Sequence, residues 1–172
     1  RWRSIVTVAH RLREAGYEPG IWTCPFLAGP RSDVRYAHPQ WLLKNRAGAH
    51  VIFQMGEAFN YVLDPTHPGV REYLRALYAR LTREWGFSYH KLDFTRAVGD
   101  PEALFHDRSM NRAQAYRSCM SVVREAIGPD SYLNVCGGFY GPLVGLADAQ
   151  RTGSDVKSLW PRAPAGEEAE GY

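Results

Sequence analysis

A lysine and an aspartate stand two residues apart in the segment YHKLDF, residues 89–94. Side chains alternate between the two faces of a strand, so Lys91 and Asp93 share one face. A parallel strand buried on both faces is almost entirely apolar, and buried charges are costly unless they serve a site. The pair therefore indicates a candidate active site, with a buried ion pair or a strand end in solvent as the structural alternative.

A second carboxylate, Asp155, closes the segment RTGSD at the end of another predicted strand. If Asp93 and Asp155 meet at the mouth of one sheet, they can divide the work of nucleophile and acid/base, provided that their environments differ. Lys91 would keep Asp93 ionised, whereas Asp155, facing another carboxylate, would hold a proton and begin the cycle as an acid. The alternative for Asp155 is a carboxylate that caps the turn after Gly153.

Two tryptophans and one cysteine stand where a ligand could touch them. Trp22 lies in GIWTCPF and Trp160 follows the last predicted loop; a tryptophan at a strand end offers an apolar platform to a sugar ring. Cys136 ends a predicted strand just before Gly137 and Gly138, where glycine lets a ligand approach the backbone. Each of these residues could equally fill the core.

Other kinds of site lack their usual sequence patterns. The six histidines show no paired ligand spacing, so no metal is expected. No GxSxG is present, which argues against a serine hydrolase. The loop CGGFYGPLVG resembles a phosphate-binding turn at the start of a helix, but it has neither GxGxxG nor GxxxxGK. A non-catalytic nucleotide- or phosphate-binding α/β domain is therefore kept as the rival hypothesis.

Charge and hydropathy exclude several classes of partner. The 172 residues carry 21 Lys+Arg against 18 Asp+Glu, and a net charge of +3 is too small to indicate nucleic acid or a membrane surface. No apolar run reaches the ~18 residues of a membrane span, and the first residues do not resemble a secretory leader. Three scattered cysteines predict free thiols in a reducing compartment. A cytoplasmic protein is therefore expected, with its oligomeric state open.

Strands and helices alternate along the chain, and this order predicts parallel βα units. Helical spacing of apolar residues predicts helices over 5–15, 70–85 and 113–127. The predicted strands cover residues 21–27, 60–64, 89–94, 131–136 and 148–155. Five strands are too few for a closed eight-stranded barrel, which needs about 250 residues.

The choice lies between an open doubly wound sheet and part of a barrel. The chain begins within a helix and ends just after a strand, which favours an incomplete TIM (β/α)8 barrel of about strands 2 to 6. Residues 1–160 are expected to form this partial catalytic domain. Residues 161–172 are polar and contain Pro, Gly and Glu, so a loose or disordered tail is expected there.

Four segments together resemble a known enzyme family. They are GYEPGIWTCPFLAGPRSDVRYAHPQWLL, NYVLDPTHPGVREYLRALYARLTREWGFSYHKLDF, NVCGG and DAQRTGSDV. In this order and spacing they resemble the catalytic barrel of the α-galactosidases of glycoside hydrolase family 36, the melibiases of clan D. The resemblance covers nearly all of residues 4–160.

The resemblance implies a retaining glycosidase that needs no cofactor and takes a terminal α-galactoside as its small-molecule substrate. Asp93 would be the nucleophile and Asp155 the acid/base, with their carboxyl groups roughly 5 to 5.5 Å apart. Further residues match positions that in the family contact the sugar or the nucleophile: Trp22, Lys91, Cys136, Arg151 and Trp160.

The sequence also departs from the family pattern. The first barrel strand with its paired aspartates, the last two strands and both flanking domains are missing from it. A truncated catalytic-domain fragment of low activity on its own is therefore expected. Another clan D activity, such as α-N-acetylgalactosaminidase or a transglycosylase, stays open because the features that select the sugar are partly absent.

Overall fold

A computed structural model describes residues 2–55, 57–153 and 155 of the chain, so Trp160 and the predicted tail over 161–172 lie outside the described residues. The helices are α1 (Trp2–Glu14), α2 (Asp33–Ala37), α3 (Pro68–Ala79), α4 (Arg112–Ile127) and α5 (Tyr140–Leu143). The strands are β1 (Gly20–Thr23), β2 (Leu27–Ala28), β3 (Lys44–Asn45), β4 (Ile52–Met55), β5 (Ala58–Val62), β6 (Tyr89–Leu92), β7 (Ala103–Leu104), β8 (Tyr132–Cys136) and β9 (Ala149–Arg151).

Within the described residues, a central sheet of four parallel strands runs in the order β1-β6-β8-β9. Its register pairs Trp22 with Lys91, Lys91 with Asn134, and Asn134 with Ala149. Register partners lie on the same face of a sheet, so these side chains form one row across it. This row contains a cation and an amide, which sets the face apart from an ordinary apolar core.

The opposite face of the central sheet is apolar and carries the helices. Leu92, Leu133 and Val135 point to this side and are fully buried in one cluster with Leu74 of α3 and Met120 of α4. A doubly wound sheet would be covered by helices on both faces, whereas a barrel wall carries them on its outer face alone. The arrangement agrees with the predicted part of a barrel.

The predicted helices around the sheet form with clear end signals. Asn111 and Gln114 make a reciprocal capping box at the start of α4, and Gly128, with φ +79°, ends it. The 70–85 prediction is met by α3 and a π-helical turn, Arg80–Glu84, that continues it. In the described part of the chain, no helix has both the length and the apolarity needed to cross a bilayer.

The prediction of one barrel strand is wrong. The sequence predicts a barrel strand over 60–64, but β5 is the centre of a three-stranded antiparallel sheet, in the order β2-β5-β4. Because β1 pairs directly with β6, this side sheet is an insertion between two neighbouring barrel strands. A short run of branched and aromatic residues has the same pattern in either kind of sheet, so the pattern did not distinguish them.

His90 lies on the helix-facing side of β6 and is fully buried. Its Nε2 is 3.0 Å from Thr82 Oγ1, and its ring meets that of Tyr78 edge-on. Burial lowers the pKa of His90 from 6.5 to about 4. The folded protein therefore favours the neutral ring, whereas the unfolded chain binds a proton near pH 6.5.

We expect this histidine to make stability fall as pH falls from about 6.5 to about 4. In that window only the unfolded chain is protonated at His90, so the free energy of unfolding decreases by up to about 1.4 kcal/mol per pH unit. Urea unfolding at several pH values should show a shallower slope for His90→Leu. His10→Leu, at an exposed histidine of α1, should keep the original slope; equal slopes in both variants would contradict the assignment.

Candidate active site

Asp93 follows β6 directly, at the carboxyl end of the parallel sheet, and is only 8% exposed. Trp22 Nε1 donates a hydrogen bond to its Oδ2 at 3.1 Å, and the Phe94 N–H donates to its Oδ1 at 2.7 Å. The Cys136 thiol is a third donor. The Asp93 N–H donates to the Thr23 carbonyl at 2.8 Å, which extends the pairing of β1 and β6 to this residue.

The electrostatic surroundings keep Asp93 charged. Burial on its own would raise the pKa of Asp93, but hydrogen bonds from Trp22, Cys136 and the Phe94 N–H, followed by the positive charge of Lys91, outweigh it and bring the pKa below the ordinary 3.8. The predicted influence of Lys91 is therefore present, although the hydrogen bonds contribute more. A desolvated, ionised and oriented carboxylate is suited to nucleophilic attack.

Cys136 and Arg151 are register partners on β8 and β9, beside Asp93. Burial raises the pKa of the Cys136 thiol, and the hydrogen bond to Asp93 and the charge of Asp93 raise it further. Cys136 is therefore a protonated donor rather than a thiolate nucleophile. Arg151 forms an ion pair with Asp155, and this hydrogen bond raises the pKa of Arg151.

These side chains share one open cavity of about 480 Å³. Its walls include Asp93, Arg96, Cys136, Tyr140, Arg151 and Asp155. The volume lies within the range of sites for small ligands, roughly 300 to 1,000 Å³. The structure thus brings the two predicted catalytic aspartates, 62 positions apart in sequence, to the same opening.

The two aspartates differ sharply in their surroundings. Asp93 is buried and held by three donors, whereas the Asp155 side chain is 87% exposed. The sequence predicts a proton-holding Asp155 that faces another carboxylate, but the structure pairs it with Arg151.

Of the two tryptophans predicted to contact a sugar, Trp22 lies within the described residues and Trp160 does not. Trp22 lies on the inner face of β1, is 51% exposed and is the register partner of Lys91. Its indole therefore combines a hydrogen bond to Asp93 with an open ring face, which suits a platform for a sugar. Trp160 lies outside the described residues.

Sequence reasoning missed several lining residues of the cavity. Arg96 stands three positions after Asp93 in a segment taken as a polar loop, and Tyr140 follows the glycine turn. Phe94 has φ +52°, a left-handed backbone that a phenylalanine rarely adopts. The spacing of Arg96 and Tyr140 after predicted strand ends could have found them, but no sequence signal marks the backbone of Phe94.

The glycine turn after β8 makes room for protein side chains. Gly137 has φ +56°, and a Cβ there would lie 2.6 Å from Arg96 Nη1 and 3.5 Å from Asp93 Oδ1. A Cβ at Gly138 would lie 2.5 Å from Thr95 Oγ1. The close approach that these glycines permit is therefore explained by neighbouring side chains, which weakens the hypothesis of a phosphate-binding turn.

Gly137→Ala should destabilise the protein by about 1 kcal/mol or more, because an L-residue in the left-handed region costs about 1 to 2 kcal/mol and the new methyl meets Arg96. Urea unfolding measures the loss. Gly141→Ala is the matched control, since a Cβ at Gly141 meets nothing within 4 Å. Equal stability of the two variants would show that the turn tolerates a side chain at Gly137.

The fold and the site define a class: part of a (β/α) barrel with acidic side chains at the carboxyl ends of its strands, where barrel enzymes build their active sites. The Melibiase family model matches residues 2–127. The chain belongs to the melibiase family, and the resemblance found in the sequence is confirmed.

Solved structures agree with this assignment. The α-galactosidase TtGalA from Thermus thermophilus, in complex with stachyose, is 32% identical with a TM-score of 0.80, over 92% of this chain and 33% of that one. A GH36 α-galactosidase, AgaA from Geobacillus stearothermophilus in complex with raffinose, is 21% identical with a TM-score of 0.64, over 84% and 21% of the two chains. An α-galactosidase from Lactobacillus brevis is 19% identical with a TM-score of 0.63, over 85% and 20%.

The latter two likenesses concern the fold alone. Together with the Thermus enzyme, they confirm the predicted fold class, an incomplete TIM barrel. The chain spans about a third of the length of the Thermus enzyme.

Proposed function

We propose that this chain carries the catalytic aspartates of a retaining α-galactosidase that cleaves terminal α-galactosides. The proposal rests on the surroundings of Asp93. Its carboxylate is buried, is kept charged by three hydrogen bonds and lines a cavity that Asp155 also lines. Membership of the melibiase family supports the reaction class. The substrate class is supported by the Thermus α-galactosidase, which is described in complex with stachyose and with p-nitrophenyl α-D-galactopyranoside.

In the first step, Asp93 attacks the anomeric carbon and forms a covalent galactosyl ester. The bond to the leaving oxygen breaks as Asp155 gives that oxygen a proton. In the second step, Asp155 removes a proton from water, and the resulting hydroxide displaces Asp93 and releases galactose. Two inversions leave the configuration of the sugar unchanged.

The neighbouring residues have distinct parts in this proposal. Trp22 and Cys136 hold the Asp93 carboxylate by its hydrogen bonds, so that it is oriented before the substrate arrives. Arg151 forms an ion pair with Asp155 and holds that carboxylate at the cavity. The Asp155 side chain is exposed, so it can take up from solvent the proton that it donates in the first step. The two carboxylates supply nucleophile and proton, so neither step calls upon a cofactor.

Asp93→Asn should lower turnover of p-nitrophenyl α-galactoside by about 10³-fold or more, because an amide cannot form the galactosyl ester. The low turnover expected of the chain on its own is followed as nitrophenol release at high protein concentration and compared with release from the N-acetylgalactosaminide. Asp130→Asn, at an exposed aspartate after α4, should keep the original rate. A fluorinated galactoside should label the peptide that contains Asp93, and a label on another peptide would overturn the nucleophile assignment.

Asp155→Ala tests the acid/base role. With a nitrophenyl leaving group that needs little protonation, the galactosyl ester should accumulate and turnover should fall by about 10² to 10⁴-fold. Added azide, which needs no base, should restore turnover and give α-galactosyl azide, identified by NMR. If azide leaves the rate unchanged, Asp155 is not the acid/base.

A further inference from the structure

Phe94, the residue after the proposed nucleophile, has an uncommon backbone. Its φ of 52° and ψ of 29° lie in the left-handed region, and no other non-glycine residue among those described has a positive φ. A bulky aromatic residue adopts this conformation only when its surroundings enforce it. The site must therefore contain contacts that hold Phe94.

The conformation matters because it is coupled to a hydrogen bond that Phe94 donates to Asp93. The peptide between Asp93 and Phe94 is planar, so the direction of the Phe94 N–H is linked to the backbone angles on either side of that peptide. In the left-handed conformation this N–H donates to Asp93 Oδ1 at 2.7 Å. The Asp93 N–H is fixed to Thr23 and the backbone N–H of Arg96 is fixed to Gly137, so a change of φ at Phe94 must be compensated at ψ of Asp93. That rotation turns the Phe94 N–H away from Asp93 Oδ1.

Two side chains hold the Phe94 ring. The Phe53 ring of β4 lies 5.5 Å from it, tilted by 53°. The Arg96 guanidinium lies over both rings, 5.5 Å from the centre of Phe53 and 6.0 Å from that of Phe94. Within the described residues, no carboxylate forms an ion pair with Arg96, so its charge is placed against aromatic faces.

The backbone of the loop is also tied down. The Arg96 N–H donates to the Gly137 carbonyl at 2.9 Å, and the glycine at 137 leaves space for the Arg96 side chain. Thr95 is buried, with its hydroxyl 2.8 Å from that of Tyr116 in α4. The residues on the C-terminal side of Phe94 are thereby fixed to the barrel wall, and the Phe94 ring is fixed to the side sheet.

We propose that Phe53 and Arg96 are positioning residues for Asp93: they clamp the Phe94 ring, hold its left-handed backbone and so keep the Phe94 N–H on Asp93 Oδ1. This inference rests on the proposed function, since orientation of Asp93 matters for catalysis only if Asp93 is the nucleophile. It gives the side sheet inserted between β1 and β6 a part in the chemistry.

The experiment must separate this clamp from the other groups that act on Asp93. The charges of Lys91 on β6, Cys136 on β8, Arg151 on β9 and Cys24 after β1 interact with it. Arg96 and Asp155 are further charged groups that line the same cavity. Phe53→Leu leaves all of these unchanged and adds no charge. Phe59→Leu is the matched control, because Phe59 lies on the opposite face of the same hairpin and contacts Tyr61.

The measurement is NMR titration of the 172-residue chain labelled with ¹³C at aspartate carboxyls, followed together with the Phe94 amide. Phe53→Leu should raise the pKa of Asp93, because one donor to the charged form is weakened. Trp22→Phe, which removes a direct donor, should raise it as well, and Phe59→Leu should leave it unchanged. In the activity assay, the acid limb of kcat/KM should move to higher pH in Phe53→Leu.

A second set of variants keeps the test decisive if Phe53→Leu fails to fold. Arg96→Lys keeps a cation over the rings and should resemble the original chain. Arg96→Met also removes a positive charge from the cavity that Asp93 lines, so its test of the clamp is a change at the Phe94 amide. In a Phe94→Gly background, which has no ring to clamp, Phe53→Leu should cause no further change.

The clamp is overturned if folded Phe53→Leu leaves the Asp93 titration and the Phe94 amide unchanged, if Arg96→Met leaves the Phe94 amide unchanged, or if Phe59→Leu has the same effects as Phe53→Leu. The outcome is distinct from that of the proposed function. A titration shift in Phe53→Leu together with fluorinated-galactoside labelling away from Asp93 supports the clamp and rejects the proposed nucleophile, whereas labelling of Asp93 without any titration shift rejects the clamp alone.

Discussion

A buried carboxylate must replace the water it loses with hydrogen-bond donors, and the site depends on how Asp93 meets this requirement. Its donors come from β1, from β8 and from the loop that follows β6. Only the parallel register brings these separate segments together at one strand end. A slip of one residue between β1 and β6 would turn Trp22 to the helix side and remove a donor.

The insertion between β1 and β6 completes the surroundings of that carboxylate. Asp64, buried just beyond β5, accepts hydrogen bonds from the N–H and the hydroxyl of Thr66 and from the His106 N–H. These hydrogen bonds link the insertion to the segment that follows β7. The side sheet is consequently anchored at its base while its Phe53 reaches the active-site loop.

The sequence predicted what depends on local patterns and missed what depends on distant contacts. Alternation along YHKLDF placed Lys91 and Asp93 on the face of Trp22, which is the register partner of the first and a donor to the second, and helix spacing correctly placed α3 and α4. The segment 60–64 was assigned to the wrong sheet, because strand partners are chosen by tertiary packing. The left-handed backbone of Phe94 could not be predicted either, because the Phe53 ring that packs against Phe94 lies 41 positions away in sequence.

The contrast between Asp93 and Asp155 explains how two like side chains could take two roles. A nucleophile benefits from fixed orientation and constant charge, and Asp93 has both from its three donors. An acid/base must exchange protons in every cycle, and an exposed carboxylate at the cavity edge can do so. Arg151 forms an ion pair with the second carboxylate and is the register partner of Cys136, a donor to the first, so one side chain borders both environments.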